Sequence, residues 1–393
     1  MSSLRFEWVE DTEGFARLRE PWDALAASAV ETIFLTYDWL ATWLVELAPD
    51  SELHVLTAWD GGRLVGALPL CGSPGIDRGR LWYFMGEGTL TPNHLDIVAE
   101  PTVRDEVRVH VVELLLERSA EWDVLEFGKL PAETGTPAAL EAGFAAAGIA
   151  TSCSDAAVCY VCSLPDTYEE YLAERSKNTR KKIGEVRRWL RRQPETFQLA
   201  QTQTEEQALA ALEALERFHQ ARWEARGYPG AFAEPRVVSF HMAVVRNAQR
   251  NGQLRMYTLA DGDEIIAVSY NYCVGQVAEA YLASFDARYF QGSPGVLLRA
   301  YAVEQLIAEG VGVFDWLEGA ESYKTAWSTG QRRDVSLRAY GRSWAGRIAR
   351  LWHAANVEAV RLARVLVPGR VRESLNKMAA RARGSRQTSG PES

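Results

Sequence analysis

The sequence predicts an α/β protein with a mixed sheet, built from two similar lobes and followed by a basic helical tail. Residues 54–68 and 255–269 each predict a β-hairpin that turns on Asp-Gly, and the two stretches share Thr, Asp and Gly in register. The strand patterns at 124–127 and 313–316 also match each other. Two matches, at offsets of 201 and 189 residues, favour duplication of one α/β domain.

The helices support the same division. An amphipathic pattern at 104–118 precedes the first matching strand, and a similar pattern at 296–309 precedes the second. Each half therefore reads helices, hairpin, strand, helix, strand, helix. We expect one lobe at 1–155, a second at 156–340, and the tail at 341–393 as a basic amphipathic helix with a disordered end.

Composition places the chain among globular proteins. Its 393 residues, 47% hydrophobic and 24% charged, suffice for two ordinary domains. It shows neither a signal-peptide pattern nor eighteen consecutive apolar residues, so we expect a cytoplasmic location. Five irregularly spaced cysteines fit reduced thiols, and Cys159 and Cys162 lack the second pair of a metal site. We therefore expect no metal.

Charge is divided unevenly along the chain. Residues 338–393 contain twelve Arg and Lys against three Glu, a net charge of +9, which leaves −18 on 1–337. An acidic body repels phosphate backbones, so we expect no DNA partner. The tail pattern at 344–367 interleaves apolar residues with arginines. It can lie peripherally on an anionic membrane or contact a membrane-bound synthase, and packing on its own domain would use the same face.

A turn between a strand and a helix predicts the acyl-carrier site. The strand 279–286 leads into Gln-Gly-Ser-Pro-Gly at 291–295, and the helical pattern starts at once. A helix start carries partial positive charge, and glycine lets the backbone approach a pyrophosphate closely. The corresponding stretch of the first lobe, 99–103, has Glu and no Gly. The predicted carrier-binding residues are Gln291, Gly292, Ser293, Gly295 and Val296.

Several motifs resemble a known family. They lie at 218–227, 230–232, 240–241, 293–295, 314–319 and 323–327. The order of elements resembles a tandem GNAT (Gcn5-related N-acetyltransferase) fold, and the motifs resemble CelD/BcsL-type acetyltransferases associated with bacterial cellulose and exopolysaccharide synthesis. The resemblance covers about residues 10–340 and implies acyl-CoA as donor, with the two-lobed fold of Fem-type transferases. This chain differs from the usual GNAT loop at Pro294, which lacks a backbone N–H donor. The difference leaves open an aminoacyl or other activated acyl carrier as the donor.

Acyl transfer needs a base, an oxyanion site and a proton for the departing thiolate. By the GNAT resemblance, Tyr323 protonates the thiolate. Asp315 is a candidate base, because a carboxylate on an apolar strand needs a partner or a task, and an ion pair with Lys324 or an arginine is the alternative. His219 is a second candidate base, and a buried histidine with a structural role explains it equally well.

Four residues are predicted to bind the acceptor: Arg222, Trp223, Lys324 and Asp96. Asp96 ends the run 93–96, which can form the far wall of a cleft or simply cap a strand edge. The basic run 175–192 predicts an amphipathic helix whose charged side attracts an anionic acceptor or is merely solvated.

These features together predict an acyltransferase that moves an acyl group, which we expect to be acetyl, from acyl-CoA to an amine or hydroxyl. The acceptor would be a lipid-linked or nucleotide-linked sugar or another cell-envelope precursor. One alternative is a Fem-like transferase that draws on aminoacyl-tRNA, with the basic helix contacting the tRNA. Another is a non-catalytic adaptor of a polysaccharide synthase. Acyl chain length, N- or O-acylation and oligomeric state stay open.

Overall fold

The structure is a computed structural model that describes residues 4–73, 79–319 and 322–366. Its first half contains β1 Arg5–Val9, α1 Thr12–Arg17, α2 Arg19–Ala29, α3 Tyr37–Glu46, β2 Glu52–Asp60, β3 Arg63–Ser73, β4 Leu81–Phe84, β5 Val98–Ala99, α4 Arg104–Glu117, β6 Val124–Pro131 and α5 Thr136–Ala146. Its second half contains β7 Ala150–Ser163, α6 Tyr168–Glu174, α7 Lys177–Leu190, β8 Phe197–Gln201, α8 Glu205–Glu224, α9 Pro235–Arg250, β9 Leu254–Asp261, β10 Glu264–Val274, β11 Val277–Phe285, α10 Pro294–Ala308, β12 Val313–Glu318, α11 Ser322–Trp327, β13 Gly330–Tyr340 and α12 Trp344–Leu366. The disordered end expected for the tail lies outside the described residues.

One continuous mixed sheet runs through both halves in the order β1-β2-β3-β4-β6-β13-β7-β12-β11-β10-β9-β8. The order is the same when read inward from either edge: an antiparallel series, then one parallel pair, β4 with β6 or β11 with β12. Both predicted hairpins are present, because Asp60 pairs with Arg63 and Asp261 with Glu264 across their turns. This symmetry is the two-lobed α/β fold that the repeat predicts.

The two halves meet in the middle of the sheet through long strands. β13, the last strand, pairs with β6 of the first half, and β7 pairs with β12 of the second. β7 and β13 also pair with each other from Gly330 opposite Val161 to Tyr340 opposite Ala150. The expected boundary at 155/156 therefore lies inside β7, and each half receives a strand next to its own parallel pair.

Aromatic packing joins the lobes on one face of the sheet. Trp39 of α3 is 1% exposed and makes edge-to-face contacts with Phe240, Tyr272 and Tyr281 of the second lobe. Burial of each such ring contributes on the order of 1.5–3 kcal/mol. These contacts hold β11 against the first lobe, and β11 forms one wall of a cavity of about 650 Å³. Among the described residues, no helix has both the length and the apolar character to cross a bilayer.

Candidate active site

A cavity of about 650 Å³ opens where β11 and β12 separate. The two parallel strands pair only from Val277 opposite Val313 to Glu279 opposite Asp315. Beyond that point β12 bulges, with Leu317 in the left-handed region at φ 54°. The rest of β11, residues 280–285, then lines the cavity together with 316–318 of β12 and the first turns of α10. A gap between strands leaves backbone hydrogen-bonding groups facing the cavity.

The first lobe fixes the point at which the strands part. The Glu279 carboxylate accepts hydrogen bonds from Thr32 Oγ1 at 2.6 Å and from the Ile33 N–H at 2.9 Å. Burial raises the pKa of Glu279 to about 7, and these two donors act against the rise. Asp315 beside it bonds His94, also from the first lobe. Both carboxylates at the divergence are therefore held across the interface between lobes.

His94 lies between two buried carboxylates. Its Nε2 is 3.0 Å from Asp315 Oδ2 and its Nδ1 is 2.9 Å from Asp334 Oδ1, while its backbone N–H donates to Asp334 Oδ2. Burial lowers the pKa of His94, but the bonds to Asp315 and Asp334 outweigh it and raise the pKa well above the usual value. His94 is thus an imidazolium that links β12, β13 and the first lobe.

Asp315 is consequently placed away from the cavity wall. It is fully buried, bonds His94 and accepts a 2.7 Å hydrogen bond from the Leu317 N–H. The ion pair considered as the alternative to a catalytic role exists, but its partner is His94 and not Lys324 or an arginine. The role of Asp315 as a base stays a prediction, and its enclosure in this ion pair disfavours it.

Among the described residues, one group of side chains lies close enough to hold a metal ion: His94, Cys159 and Asp315. Metal ligation requires neutral imidazole and thiolate. Burial raises the pKa of Cys159 to about 11, and the two carboxylates keep His94 protonated. The expectation that the chain holds no metal stays a prediction.

We call residues 291–296, which contain the five predicted carrier-binding residues, the carrier loop. Three of those five residues line the cavity. Ser293 is held at φ 51°, α10 starts at Pro294, and Ser293, Gly295 and Val296 line the cavity. Pro294 occupies the first helical position, where a backbone N–H has no intrahelical acceptor, so its missing donor costs the helix nothing. Gly295 follows in the first turn, where N–H groups face the ligand side.

The two remaining loop residues lie behind the cavity wall. Gln291 and Gly292 end a short 3-10 helix, Ala287–Gly292. A Cβ on Gly292 would lie 2.5 Å from the ring of Trp189, so this glycine admits α7 to the back of the loop. At Gly295, by contrast, a Cβ would meet only Phe285 at 3.8 Å. Packing requires Gly292, whereas Gly295 has room on the cavity side.

Tyr323 lines the cavity from α11. The guanidinium of Arg299, on α10, lies 3.6 Å from the centre of the Tyr323 ring and 5.2 Å from that of Trp327. Lys324 also lines the cavity, and its Nζ donates to the backbone carbonyls of Leu317 at 3.3 Å and Glu318 at 2.5 Å. Lys324 thereby attaches α11 to the bulge of β12, which directs Tyr323 toward the gap.

His219 lies next to the cavity in a structural contact. It is 4% exposed, and its Nε2 accepts a 2.9 Å hydrogen bond from Trp223 Nε1. Burial, followed by the nearby Arg222, lowers the pKa of His219 to about 4. Arg222 lines the cavity, whereas the Trp223 ring is engaged with His219 and with Tyr228. Of His219, Arg222 and Trp223 on α8, only Arg222 is among the residues that line the cavity.

The first lobe forms the far wall, but not through Asp96. Thr89, Leu90, Thr91 and Asn93 line the cavity. Asp96 accepts a hydrogen bond from the Ile97 N–H, and burial raises its pKa although Thr136 and Thr134 act to lower it. Thr136 is the first residue of α5, so the Asp96 carboxylate interacts within the first lobe's own structure.

Sequence reasoning missed several cavity residues on the second lobe. His241 of α9 is 2% exposed and lines the cavity, and burial lowers its pKa to about 3. Its Nδ1 has no hydrogen-bond partner among the described residues, and the same holds for Ser284 Oγ. Ser269 and Asn271 line the cavity from β10. The sequence could have indicated Ser269 and Asn271, because they are polar residues at alternate positions of a buried strand.

Comparison with known proteins agrees with this geometry. Residues 177–325 match the family described as acetyltransferase (GNAT) domain. No curated protein matches the sequence. The matched region runs from α7 to α11 and includes the carrier loop and Tyr323. Residues 177–325 therefore match a GNAT acetyltransferase domain, which supports an acyltransferase, and domains of this family use acyl-CoA.

Solved structures share the fold across most of the chain. FemX has a TM-score of 0.59 at 9% identity and covers 83% of this chain and 96% of its own. A C-terminal domain of a putative lysylphosphatidylglycerol synthetase from Agrobacterium fabrum gives 0.52 at 13%, covering 87% and 97%. The L-PGS structure from Bacillus licheniformis gives 0.51 at 11%, covering 84% and 96%. These likenesses establish the two-lobed fold predicted from the Fem-type resemblance. The CelD/BcsL subtype stays a prediction.

Proposed function

We propose that the chain transfers an acyl group from acyl-CoA to an amine or hydroxyl of an anionic polysaccharide or cell-envelope precursor. One observation carries the proposal: a single cavity is lined by the first turn of α10, by the gap between β11 and β12, and by Tyr323. This lining suits a long donor with a charged end and a reactive end.

The charged end of the donor would lie at the carrier loop. The N-terminus of α10 attracts a pyrophosphate, and Ser293, Gly295 and Val296 offer backbone groups there. The pantetheine arm is amide-rich, so it can hydrogen-bond like an additional strand in the gap beside β11. The thioester then reaches the end of the gap.

The chemistry requires two proton movements. The acceptor nitrogen or oxygen attacks the thioester carbonyl carbon and loses a proton, the C–S bond breaks, and the sulfur of CoA gains a proton. Tyr323 is the proposed donor to sulfur. His241 lines the cavity with its Nδ1 unpaired among the described residues, and it is our proposed acceptor for the proton of the nucleophile. Hydrogen-bond donors along the wall would stabilise the oxyanion.

The acceptor side carries positive charge. Arg222, Arg299 and Lys324 all line the cavity, opposite Thr89, Thr91 and Asn93 of the first lobe. Three cations and several hydroxyl or amide groups suit a sugar that bears a phosphate. This arrangement supports a lipid-linked or nucleotide-linked sugar as the acceptor class.

One observation favours aminoacyl-tRNA as an alternative donor. The basic helix α7 backs onto the carrier loop through Trp189 and Gly292, and Lys181, Lys182, Arg188, Arg191 and Arg192 are exposed. A basic helix beside the donor loop could hold an RNA backbone.

A donor panel separates the two candidates. Thermal unfolding is followed with acetyl-CoA, longer acyl-CoAs, free CoA and a mixed aminoacyl-tRNA pool. We expect CoA species to stabilise the protein by about 2.7 kcal/mol at a hundred times Kd, and acetyl-CoA to release free thiol when a phosphorylated amino sugar is added. Stabilisation by aminoacyl-tRNA alone would replace the first candidate with the second. No response to either donor favours a non-catalytic adaptor.

A further inference from the structure

The C-terminal helix α12 lies on the first lobe through small and polar residues. Ser343 Oγ, just before the helix, donates to Asp123 Oδ1 at 2.5 Å. A Cβ on Gly346 would lie 2.8 Å from the Asp123 carbonyl oxygen, so glycine is needed for this close approach. His353 Nδ1 lies 3.2 Å from Arg338 Nη1 on β13. These contacts fix which side of the helix faces the protein.

The opposite side presents large apolar residues to solvent. Trp344, Ile348, Leu351 and Trp352 are 76%, 54%, 70% and 58% exposed. Their spacing of i, i+4, i+7 and i+8 places them on one side, which we call the outer face. A surface helix ordinarily turns such residues toward the core. In α12 the orientation is reversed.

We propose that the outer face of α12 binds the surface of an anionic bilayer. Arg347 and Arg350 are exposed, and Arg347, at i+3 from Trp344 and i−4 from Leu351, borders the outer face. Tryptophan is favoured at the boundary between headgroups and acyl chains. Residues 338–393 carry +9, against −18 on the rest of the chain. An anionic surface would attract the C-terminal part of the chain and repel the remainder.

The same charges argue against a second copy of the chain as the occupant. A two-fold dimer places the same patch on both sides of the interface. Arg347 and Arg350 of one copy would then approach the arginines of the other, and like charges brought together oppose association. A layer of phosphate headgroups has the complementary sign.

The test uses the full chain and vesicles of phosphatidylcholine with or without phosphatidylglycerol. We expect co-sedimentation only with phosphatidylglycerol, and less of it at higher salt as the Debye length falls from about 10 Å at 0.1 M to about 3 Å at 1 M. The assay needs no acyl donor. Membrane binding and acyl transfer can therefore fail independently.

Two pairs of matched variants separate the outer face from general surface effects. Ile348→Asp with Leu351→Asp should lower vesicle partitioning by at least about tenfold, because it removes apolar insertion and adds negative charge. The control, Val45→Asp with Val109→Asp, makes the same change at aliphatic residues that are 69% and 57% exposed on α3 and α4. It should bind like the wild type. Arg347→Gln with Arg350→Gln should also weaken binding, whereas Lys181→Gln with Lys182→Gln on α7 should not.

Three results would overturn the proposal. The first is wild-type protein that ignores phosphatidylglycerol vesicles at low salt. The second is equal partitioning of the outer-face pair and its Val45/Val109 control, with both melting like the wild type. The third is a dimer in solution that the Ile348/Leu351 pair dissolves while vesicle binding is absent, which would assign the outer face to a second copy.

Discussion

In the first lobe the gap beyond the parallel pair β4–β6 is filled by the chain itself, whereas the gap between β11 and β12 is open. The segment 85–97 runs through the first gap, where Met85, Leu95 and Ile97 are at most 4% exposed. The Leu95 N–H donates to the Lys129 carbonyl of β6 at 3.0 Å, so backbone takes the position of a ligand. A duplicated fold has thus kept one binding gap and closed the other with its own residues.

The helices that follow the two gaps, α4 and α10, also differ in their first turns. α4 begins with Asp105 and Glu106 in its first turn, whereas α10 begins with Pro294 and Gly295. Acidic side chains satisfy the positive end of α4 internally, and α10 leaves that role to a ligand. The candidate site therefore depends on two features that the first lobe has and the second lacks. One is a segment that fills the gap between the strands, and the other is an acidic first turn in the helix that follows. The following predictions test that difference.

The largest expected effect is at the contact between lobes. His94→Leu leaves Asp315 and Asp334 buried without their cation, so the free energy of unfolding should fall by about 3–5 kcal/mol. Urea unfolding measures the loss. His110→Leu is the control, because His110 Nδ1 bonds the Glu106 carbonyl of its own helix and no carboxylate. A loss below about 1 kcal/mol for His94→Leu would mean that the carboxylates do not depend on this cation.

The open loop is tested by giving it an acidic residue, as in the first lobe. Gly295→Asp has room and an ordinary backbone conformation, but places a carboxylate where a pyrophosphate would lie. Stabilisation of about 2.7 kcal/mol by CoA at a hundred times Kd should disappear. Thr102→Asp, before α4, should change nothing. Unaltered CoA binding by folded Gly295→Asp would refute the placement of the donor.

Tyr323→Phe tests the reactive end of the cavity. Loss of the hydroxyl should lower kcat by roughly 10²-fold, the usual range for a general acid, with KM for acyl-CoA nearly unchanged. Tyr289→Phe, close to the loop, is the control. If chemistry limits the rate and Tyr323→Phe stays within a factor of about three, the proton comes from another group.

The pH dependence of stability tests the buried Glu279 carboxyl, which lies where β11 and β12 separate. The folded pKa of Glu279 is raised to about 7, so the native state holds a proton that the unfolded state releases near 4.5. Stability should fall as pH rises between these values, on the order of 1 kcal/mol per pH unit. His94 acts in the same direction, because its pKa is also raised and its contribution is lost above it. Glu279→Gln should flatten the profile between pH 5 and pH 7, and a profile as steep as that of the wild type would assign the titration elsewhere.

The smallest effect is expected in the closed lobe. Asp96→Asn changes a carboxyl that bonds within its own lobe and lies outside the cavity. Steady-state rates should stay within a factor of about three of the wild type, even with the true acceptor. A larger fall in kcat/KM would return Asp96 to the acceptor site.

The sequence was most informative where a local pattern determines structure. Asp-Gly turns specify both hairpins, and the Gly/Pro turn at 291–295 specifies where α10 begins, because these choices depend on a few neighbouring residues. The ion pair of Asp315 with His94 was not predictable, since 221 residues separate the partners and strand exchange between halves brings them together. His241 lies in one of the motifs of the family resemblance but was not a predicted site residue. Its position in the cavity wall depends on how α9 crosses β10 and β11.

The pairing of β13 with β6 of the first half also constrains how the protein is made. β6 gains its outer partner only from residues 334–340, about two hundred positions later in the chain. During synthesis the first lobe must wait with an unpaired strand edge, the kind of surface that recruits other chains. Contacts of such long sequence separation also slow folding. Neither half can therefore be separated as an independent module by a cut between α5 and β7, and expression of the first half alone should yield aggregates.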